Sequence, residues 1–187
     1  MNGAPRPGRK AVYLFPGELH VAAEPTDIST LLGSCVAIAL AHPRSGLGAL
    51  CHSILPQGQN NKGLHLAARD REKECFKYVD CSLRYMLRIF DDHHIPRREI
   101  IAKIFGGADM FETGHDDQTV GRQNISITRR LLKHERLTIS GEDVGGAHGR
   151  KLHLYSDTGE VLMKRLRKSD PQELALLMAA SSRLTLP

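Results

Sequence analysis

Apolar positions in the first third of the chain fall into short runs that turn-forming residues separate. One run spans residues 36–41 (Val-Ala-Ile-Ala-Leu-Ala), and a second spans 47–54. The residues between them, His-Pro-Arg-Ser-Gly, are typical of a turn. Short apolar runs joined by a turn favour β-strands, so this pattern predicts a hairpin folded about Pro43 and Arg44. Ahead of the hairpin, residues 11–24 are interpreted as one or two further short strands.

In residues 66–92 the spacing of apolar side chains changes to the one that predicts a long amphipathic α-helix. Apolar side chains recur there at spacings of three and four, at Phe76, Val79, Leu83, Met86, Leu87 and Phe90. Pro96 bars continuation of the helix. Beyond it the pattern predicts a strand, a helix, three strands and a last helix, at residues 99–105, 118–134, 136–143, 151–156, 160–166 and 171–183.

The order of these elements favours an α/β layered domain. Hairpins imply a largely antiparallel or mixed sheet rather than a doubly wound parallel one. The length of 187 residues fits a single domain with its own core. We expect a disordered basic N-terminus over residues 1–10, the domain over 11–168, and a helical tail over 169–187.

Composition excludes several classes of protein. Hydrophobic residues make up 41% of the chain, which is typical of a globular protein. The longest apolar run is far below the ~20 residues that span a bilayer, and the N-terminus has no apolar signal segment. We therefore expect a cytoplasmic protein without membrane insertion. With no aromatic RNA-binding signature we expect no nucleic-acid partner, so the net charge of +5 indicates either a solvated surface or attraction to an acidic partner.

The four cysteines are Cys35, Cys51, Cys75 and Cys81. None has CxxC spacing, so we expect neither a zinc site nor a thioredoxin-like site. In a reducing cytosol all four are expected to be free thiols. A redox pair of Cys35 and Cys51 is an alternative, but strand alternation points Cys51 away from the face that carries His52.

The predicted hairpin brings Cys35 and His52 close together. A thiol beside an imidazole can attack a carbonyl carbon once the imidazole holds or removes the thiol proton. Gly33 and Ser34 precede the cysteine, so the backbone can turn sharply and aim its N–H groups at one spot, as an oxyanion hole requires. Packing alone would also explain a cysteine among apolar residues, but the pairing with His52 favours catalysis.

Two hydroxyl residues, Ser29 and Thr30, precede the turn that carries the cysteine. Either one could hydrogen-bond the imidazole and orient it, which is the third role in a catalytic triad. Either one could equally be an ordinary strand hydroxyl. Gly106 and Gly107, which follow a predicted strand, are interpreted as a tight turn and not as a phosphate loop, because the GxGxxG pattern is absent.

With these residues in place, the sequence resembles the CheD family of chemoreceptor glutamine deamidases. The resemblance is carried by Thr-Leu-Leu-Gly-Ser-Cys-Val-Ala (30–37), Gly-Leu-Gly-Ala-Leu-Cys-His-Ser-Ile-Leu-Pro (46–56), Lys-Ile-Phe-Gly-Gly-Ala-Asp-Met-Phe (103–111), Val-Gly-Arg-Gln-Asn-Ile (120–125) and Asp-Val-Gly-Gly-Ala-His-Gly-Arg-Lys (143–151).

The resemblance implies roles for these residues. The family nucleophile falls on Cys35 and the family histidine on His52. The family's third residue is a threonine six positions before the cysteine; here that position is Ser29, with Thr30 beside it. The implied fold is a three-layer α/β sandwich, similar to that of bacterial Cys-His toxins that deamidate Rho GTPases.

The implied reaction is deamidation of glutamine to glutamate on methyl-accepting chemotaxis receptors through a cysteine thioester, with methylesterase activity as a side reaction. No metal or cofactor is expected, and a CheC-type phosphatase is a candidate partner. The alternative is a non-catalytic module that docks to receptors or to such a phosphatase. Alkylation would separate the classes, because an enzyme is expected to show a hyper-reactive Cys35.

Overall fold

The computed structural model describes residues 8–58, 74–109, 119–167 and 170–182. Nine strands lie in these ranges: β1 (Lys10–Leu14), β2 (Leu19–Ala22), β3 (Thr26–Leu32), β4 (Val36–His42), β5 (Leu47–Cys51), β6 (Ile101–Gly106), β7 (Ile139–Val144), β8 (Arg150–Tyr155) and β9 (Glu160–Arg165). Three α-helices accompany them: α1 (Val79–Asp92), α2 (Val120–His134) and α3 (Pro171–Ser182). A short 3₁₀ helix at Arg97–Glu99 precedes β6 and takes up the start of the strand predicted from residue 99.

The strands form two sheets. One has four strands in the order β1-β3-β8-β9, and the other has five in the order β2-β5-β4-β6-β7. The β1–β3 and β6–β7 pairs are parallel and the other pairs are antiparallel. The prediction of an α/β fold with mixed pairing is confirmed, but the expectation of one sheet is wrong, since β3 and β4 lie in different sheets.

The apolar character of β4 on both faces explains why two sheets are needed. Val36, Ile38 and Leu40 point to one side and pack with α1 and α2. Ala37 and Ala39 point to the other side and pack against β3 and β8 of the second sheet. A strand that is apolar on both faces must be covered on both. The order of layers is therefore helices, five-stranded sheet, four-stranded sheet.

Helix α1 begins later than its sequence pattern predicts. Tyr78 is extended (φ −106°, ψ 136°) and forms an isolated β-bridge with Leu55, and the Val79 N–H donates to the Leu55 carbonyl. Because Tyr78 is held in this bridge, α1 cannot extend N-terminally to include Phe76. The buried face of α1 otherwise has the predicted residues, and 66–73 of the predicted helix lie outside the described residues.

The expectation of four free thiols is also corrected. Cys75 and Cys81 form a disulfide with Cα atoms 5.6 Å apart, because the turn before α1 folds the first cysteine back onto the first turn of the helix. Cys35 and Cys51 are free and buried.

The last helix, α3, packs on the four-stranded sheet, where Leu177 joins Leu31 and Leu166 in a small cluster. In the described part of the chain, no helix has the length and apolar character needed to cross a membrane.

Candidate active site

The turn Gly33–Cys35 carries the chain from the four-stranded sheet to the five-stranded sheet. Two carbonyls of this turn accept hydrogen bonds from the segment that follows β6. The Gly107 N–H donates to the Cys35 carbonyl at 2.8 Å, and the Ala108 N–H donates to the Gly33 carbonyl at 2.8 Å. Gly106 makes this approach possible, because a Cβ on it would collide with the Cys35 carbonyl oxygen. The predicted close approach of this glycine pair to another element is observed and supports the cysteine loop, but Gly106 is the last residue of β6 and the pair does not form a turn.

The hairpin places Cys35 and His52 on the same face of the five-stranded sheet. Val36 pairs with Ser53 in an antiparallel bridge, so the residues just before them, Cys35 and His52, are diagonal neighbours. Ser53 and Val36 point to the helix side, where the Ser53 hydroxyl donates to Ser82 at 2.9 Å. Strand alternation turns Cys35 and His52 to the other side, between the sheets. Diagonal cross-strand neighbours lie within reach of each other's side chains.

Thr30 fixes the imidazole. Its Oγ1 lies 2.7 Å from His52 Nδ1 and also donates to the Leu14 carbonyl at 2.9 Å. A hydroxyl has one hydrogen, and that hydrogen is used on Leu14. Thr30 Oγ1 must therefore accept from Nδ1–H of His52, so the neutral imidazole carries its proton on Nδ1. The lone pair is on Nε2, a buried atom with no partner among the described residues.

Ser29 lies on the opposite face of β3. Its hydroxyl donates to the Val12 carbonyl at 3.4 Å, and among the described residues it has no hydrogen bond with the imidazole. Successive strand residues face opposite sides, and in β3 it is Thr30 that shares the face of Ile28 and Leu32 in the inter-sheet core. The structure therefore brings Thr30 to His52 and leaves Ser29, the position indicated by the resemblance, outside the site.

Burial keeps both reactive groups neutral. Cys35 is 7% exposed and His52 is 2% exposed. Desolvation raises the pKa of the Cys35 thiol to about 12, although the cysteine's own backbone N–H, which hydrogen-bonds the sulfur, acts in the opposite direction. Desolvation lowers the pKa of His52 to about 4 against an opposing hydrogen bond with the Leu14 carbonyl. At neutral pH the site holds a thiol and a neutral imidazole, not an ion pair.

The backbone of the loop offers hydrogen-bond donors. The N–H groups of Ser34 and Cys35 donate to no backbone carbonyl in the described ranges. Ser34 itself is exposed while Gly33 and Cys35 are buried, so the loop reaches solvent at its middle residue. The sequence predicts Gly33 and Ser34 as the oxyanion donors; Ser34 is kept as a candidate donor here, and the N–H of Cys35 is the second candidate.

One residue of the site was missed by sequence reasoning. Asn124 of α2 is fully buried, and its Nδ2 donates to the carbonyls of Ser34 at 3.1 Å and Ile54 at 2.8 Å. The stretch 120–125, which contains it, was one of those that carried the family resemblance. Its long-range contacts could not be read from that stretch.

The second free cysteine lies elsewhere. Cys51 is fully buried in the helix-side core, where its Sγ accepts from the Ile38 N–H at 3.4 Å. Cys35 lies in the inter-sheet core, so the sheet separates the two thiols, which disfavours the redox pair. Across the described residues, no group of three or more His, Cys, Asp or Glu side chains is arranged to hold a metal ion.

Comparison with known proteins identifies the family. A family model described as CheD chemotactic sensory transduction matches residues 54–165. A probable chemoreceptor glutamine deamidase, CheD 2, of Geobacter sulfurreducens is 40% identical over 159 residues, covering 85% of this chain and 92% of the relative. A probable chemoreceptor glutamine deamidase, CheD 1, of Anaeromyxobacter dehalogenans is 35% identical, covering 85% and 86%. The corresponding protein of Sulfurimonas denitrificans is 32% identical, covering 84% and 96%.

The family model begins downstream of Cys35 and His52, but the relatives extend over both. A match that covers 85% of 187 residues necessarily spans residues 35 and 52. The extent of the family match and the coverage of these relatives agree with the motifs on which the resemblance rests. The chain belongs to the CheD family.

Proposed function

We propose that this protein deamidates glutamine side chains of chemoreceptors to glutamate, with Cys35 as the nucleophile. The relatives are named as probable chemoreceptor glutamine deamidases. The observation that carries the proposal is the Thr30–His52 contact of 2.7 Å. It presents Nε2 as a base on the face of the sheet that also carries the free thiol.

The first step is attack on the carboxamide. The Cys35 thiol gives its proton to His52 Nε2 as the sulfur attacks the carbonyl carbon, and the carbonyl oxygen becomes an oxyanion. The N–H groups of Ser34 and Cys35 stabilise that oxyanion. Proton transfer and attack are coupled because burial opposes a free thiolate.

The second step expels ammonia. The His52 imidazolium returns its proton to the amide nitrogen, the C–N bond breaks, and a thioester to Cys35 remains. An imidazolium whose pKa is lowered by burial is a strong acid and protonates a poor leaving group well. Water then attacks the thioester while Nε2 takes its proton, and hydrolysis leaves glutamate and the free thiol.

Several finer expectations belong to the same proposal. The thioester route would also hydrolyse a glutamate methyl ester, giving methylesterase activity. A similarity of the layered fold to the Cys-His deamidase toxins would explain a shared arrangement of cysteine and histidine. The single-domain organisation, the CheC-type partner and the cytoplasmic location stay predictions of the sequence.

Incubation with a cytoplasmic receptor fragment, followed by peptide mass analysis, tests the proposal. We expect conversion of specific glutamines to glutamates by the wild type and none by Cys35→Ala. Cys51→Ala is the matched control, because it removes the other buried free thiol, and it should retain activity. Conversion that persists in Cys35→Ala would refute the assigned nucleophile.

The alternative is a docking module without catalysis. It would bind the receptor fragment with the same affinity in the wild type and in Cys35→Ala, and neither would change the mass of any receptor peptide. The buried histidine with its ordered tautomer disfavours this alternative, because docking requires no base beside a thiol.

A further inference from the structure

The side chain of Asn124 connects three separate parts of the site. It is fully buried on α2, and its two amide hydrogens reach the loop that carries Cys35 and the segment that follows His52. Both neighbours are backbone carbonyls, which only accept hydrogen bonds, so the amide must present its NH₂ to them. The Oδ1 atom has no partner in the described part of the chain, and the contact with the site therefore consists of the two donated bonds.

The contact with Ser34 determines where a neighbouring N–H points. The carbonyl of Ser34 and the N–H of Cys35 belong to one peptide plane, and in a trans peptide they point in opposite directions. Since Asn124 holds the carbonyl on the side of α2, the Cys35 N–H is directed away from α2. It is this N–H that hydrogen-bonds the cysteine sulfur.

The flanking peptides are fixed in the same way, but by backbone donors. Ala108 N–H holds the Gly33 carbonyl, and Gly107 N–H holds the Cys35 carbonyl. The Val36 N–H, in the plane after Cys35, donates to the Ser53 carbonyl at 2.9 Å. Among the contacts of the described residues, the Ser34–Cys35 peptide is thus the one plane of this loop whose carbonyl is held by a side chain, and a single substitution can release it.

We propose that Asn124 is a positioning residue that prevents rotation of the Ser34–Cys35 peptide and so keeps the Cys35 N–H aimed as an oxyanion donor. The bond to the Ile54 carbonyl gives the same side chain a hold on the segment two residues after His52. This inference deepens the proposed deamidation and rests on it. Asn124 does not touch the reacting atoms; it acts through the backbone of the nucleophile.

The test compares Asn124→Leu and Asn124→Asp with Thr128→Val. Leucine is similar in size and has no donor, and aspartate has the same shape but, protonated by burial, has at most one donor for the two carbonyls. Thr128 is the matched control: it is also fully buried on α2, one turn further on, and its hydroxyl bonds within the helix to the Asn124 carbonyl at 2.7 Å. Each variant is assayed for receptor deamidation, for thermal unfolding, and for alkylation of Cys35 by iodoacetamide.

A positioning role predicts a specific split among the readouts. Removing one oxyanion donor costs about 10²–10³ in kcat, and a misdirected donor should cost a large part of that, with KM nearly unchanged. Alkylation displaces iodide and builds no oxyanion, so its rate should stay within about twofold of the wild type once folding is verified. Thr128→Val should lose stability while keeping its kcat.

Several results would overturn the proposal. One is an unchanged kcat in the folded Asn124 variants; another is a parallel fall of kcat and alkylation, which would indicate general disturbance of the loop. Failure of both Asn124 variants to fold would also contradict it, since Asn124 would then be required by the fold and not by catalysis. A wild type that deamidates no receptor glutamine would instead refute the proposed function.

Discussion

At the scale of single residues, the decisive contact is the one between Thr30 and His52. Thr30→Val keeps the shape of the side chain but removes the hydroxyl that accepts from Nδ1–H and leaves the Leu14 carbonyl as the remaining partner, so the imidazole is held less firmly. We expect kcat to fall by at least about tenfold, within the ~10²–10⁴ that a general base contributes. Thr30→Ser should keep most of the activity. Steady-state deamidation of the receptor fragment measures both.

Ser29→Ala provides the control for this contact. Ser29 is the neighbour of Thr30 in β3 but faces the other side and donates to the Val12 carbonyl. We expect its kcat to stay within about twofold of the wild type. A large loss in Ser29→Ala, with Thr30→Val unaffected, would show that the register implied by the family resemblance describes the site better than the strand geometry does.

The state of the Cys35 thiol leads to a second prediction. The sequence predicts a hyper-reactive cysteine, but burial holds the pKa of Cys35 at about 12. The thiolate is the reactive form, so alkylation should be slow at neutral pH and should rise with pH without reaching a plateau below about pH 10. Peptide-resolved iodoacetamide labelling separates Cys35 from the other cysteines. A plateau near neutral pH would instead reveal a thiolate–imidazolium pair.

His52 links the site to stability. Its pKa is about 4 in the folded protein because of burial, against an ordinary value of 6.5. Between these values the unfolded chain binds a proton that the folded protein excludes, so the contribution of His52 to stability is complete above pH 6.5 and is lost as pH falls toward 4. The loss should be on the order of 2–3 kcal/mol between pH 7 and pH 4.5.

Urea unfolding of the wild type and of His52→Gln at these two pH values measures the loss of stability that His52 causes. Glutamine does not titrate, so the variant should lose less stability than the wild type over this pH range. The difference between the two proteins cancels the titration of the remaining histidines and carboxylates. Equal losses would show that His52 is solvated and protonates at an ordinary pKa.

At the scale of elements, the end of β6 supports the cysteine loop through Gly106. This residue has φ +101°, and a Cβ on it would collide with the Cys35 carbonyl oxygen. Gly146 is a matched control with φ +70° and open space around it. Both alanine variants incur backbone strain of about 1–3 kcal/mol. Only Gly106→Ala must also move the loop, so it should lose more stability and most of its deamidase activity.

Denaturant unfolding and receptor deamidation, measured on the same preparations, check this expectation. The informative quantity is the difference between the two alanine variants, because the strain from positive φ is common to both. Equal stability and equal activity in the two variants would show that the cysteine loop does not depend on the close approach of β6.

The elements that the sequence predicts well are those whose pattern is local. The hairpin of β4 and β5 and the buried face of α1 follow from apolar spacing alone. The start of α1 does not, because the bridge between Tyr78 and Leu55 is a contact between distant residues. The division into two sheets likewise depends on how the turn at Gly33–Cys35 directs the chain.

In the candidate site, too, local sequence predicts some features, and contacts between distant residues determine the others. The placement of Cys35 and His52 on one face of the sheet could be predicted because one hairpin joins them. The choice between Ser29 and Thr30 requires the phase of β3, which one residue of register reverses. Asn124 lies about ninety positions from the loop it holds, so local sequence does not reveal this contact. The neutrality of the thiol and the imidazole is a consequence of burial, and local sequence does not reveal it either.

At the scale of the whole molecule, the net charge of +5 acts on a protein substrate approaching the site. A surface groove of about 440 Å³ lies on α2 beside the buried Asn124, and it is lined by Pro56, Gln57, Arg122, Gln123, Ser126, Ile127 and Arg130. Because Arg122 of this groove is ion-paired with Asp109, Arg130 is the groove residue that tests whether charge attracts the receptor. Attraction between exposed charges is screened within about 3 Å at 1 M salt but reaches about 10 Å at 0.1 M.

We therefore expect salt to raise the KM for a receptor fragment severalfold while kcat stays constant, because screening affects encounter and not the buried chemistry.

Arg130→Glu should raise KM at low salt and reduce this salt dependence. Arg98→Glu is the control, because its side chain is highly exposed but lies on the 3₁₀ helix and not in the groove. Steady-state kinetics across salt concentrations measure both variants. If the KM of the wild type does not change with salt, the excess positive charge serves only to solvate the surface. If the two substitutions change KM equally, net charge and not the groove attracts the receptor.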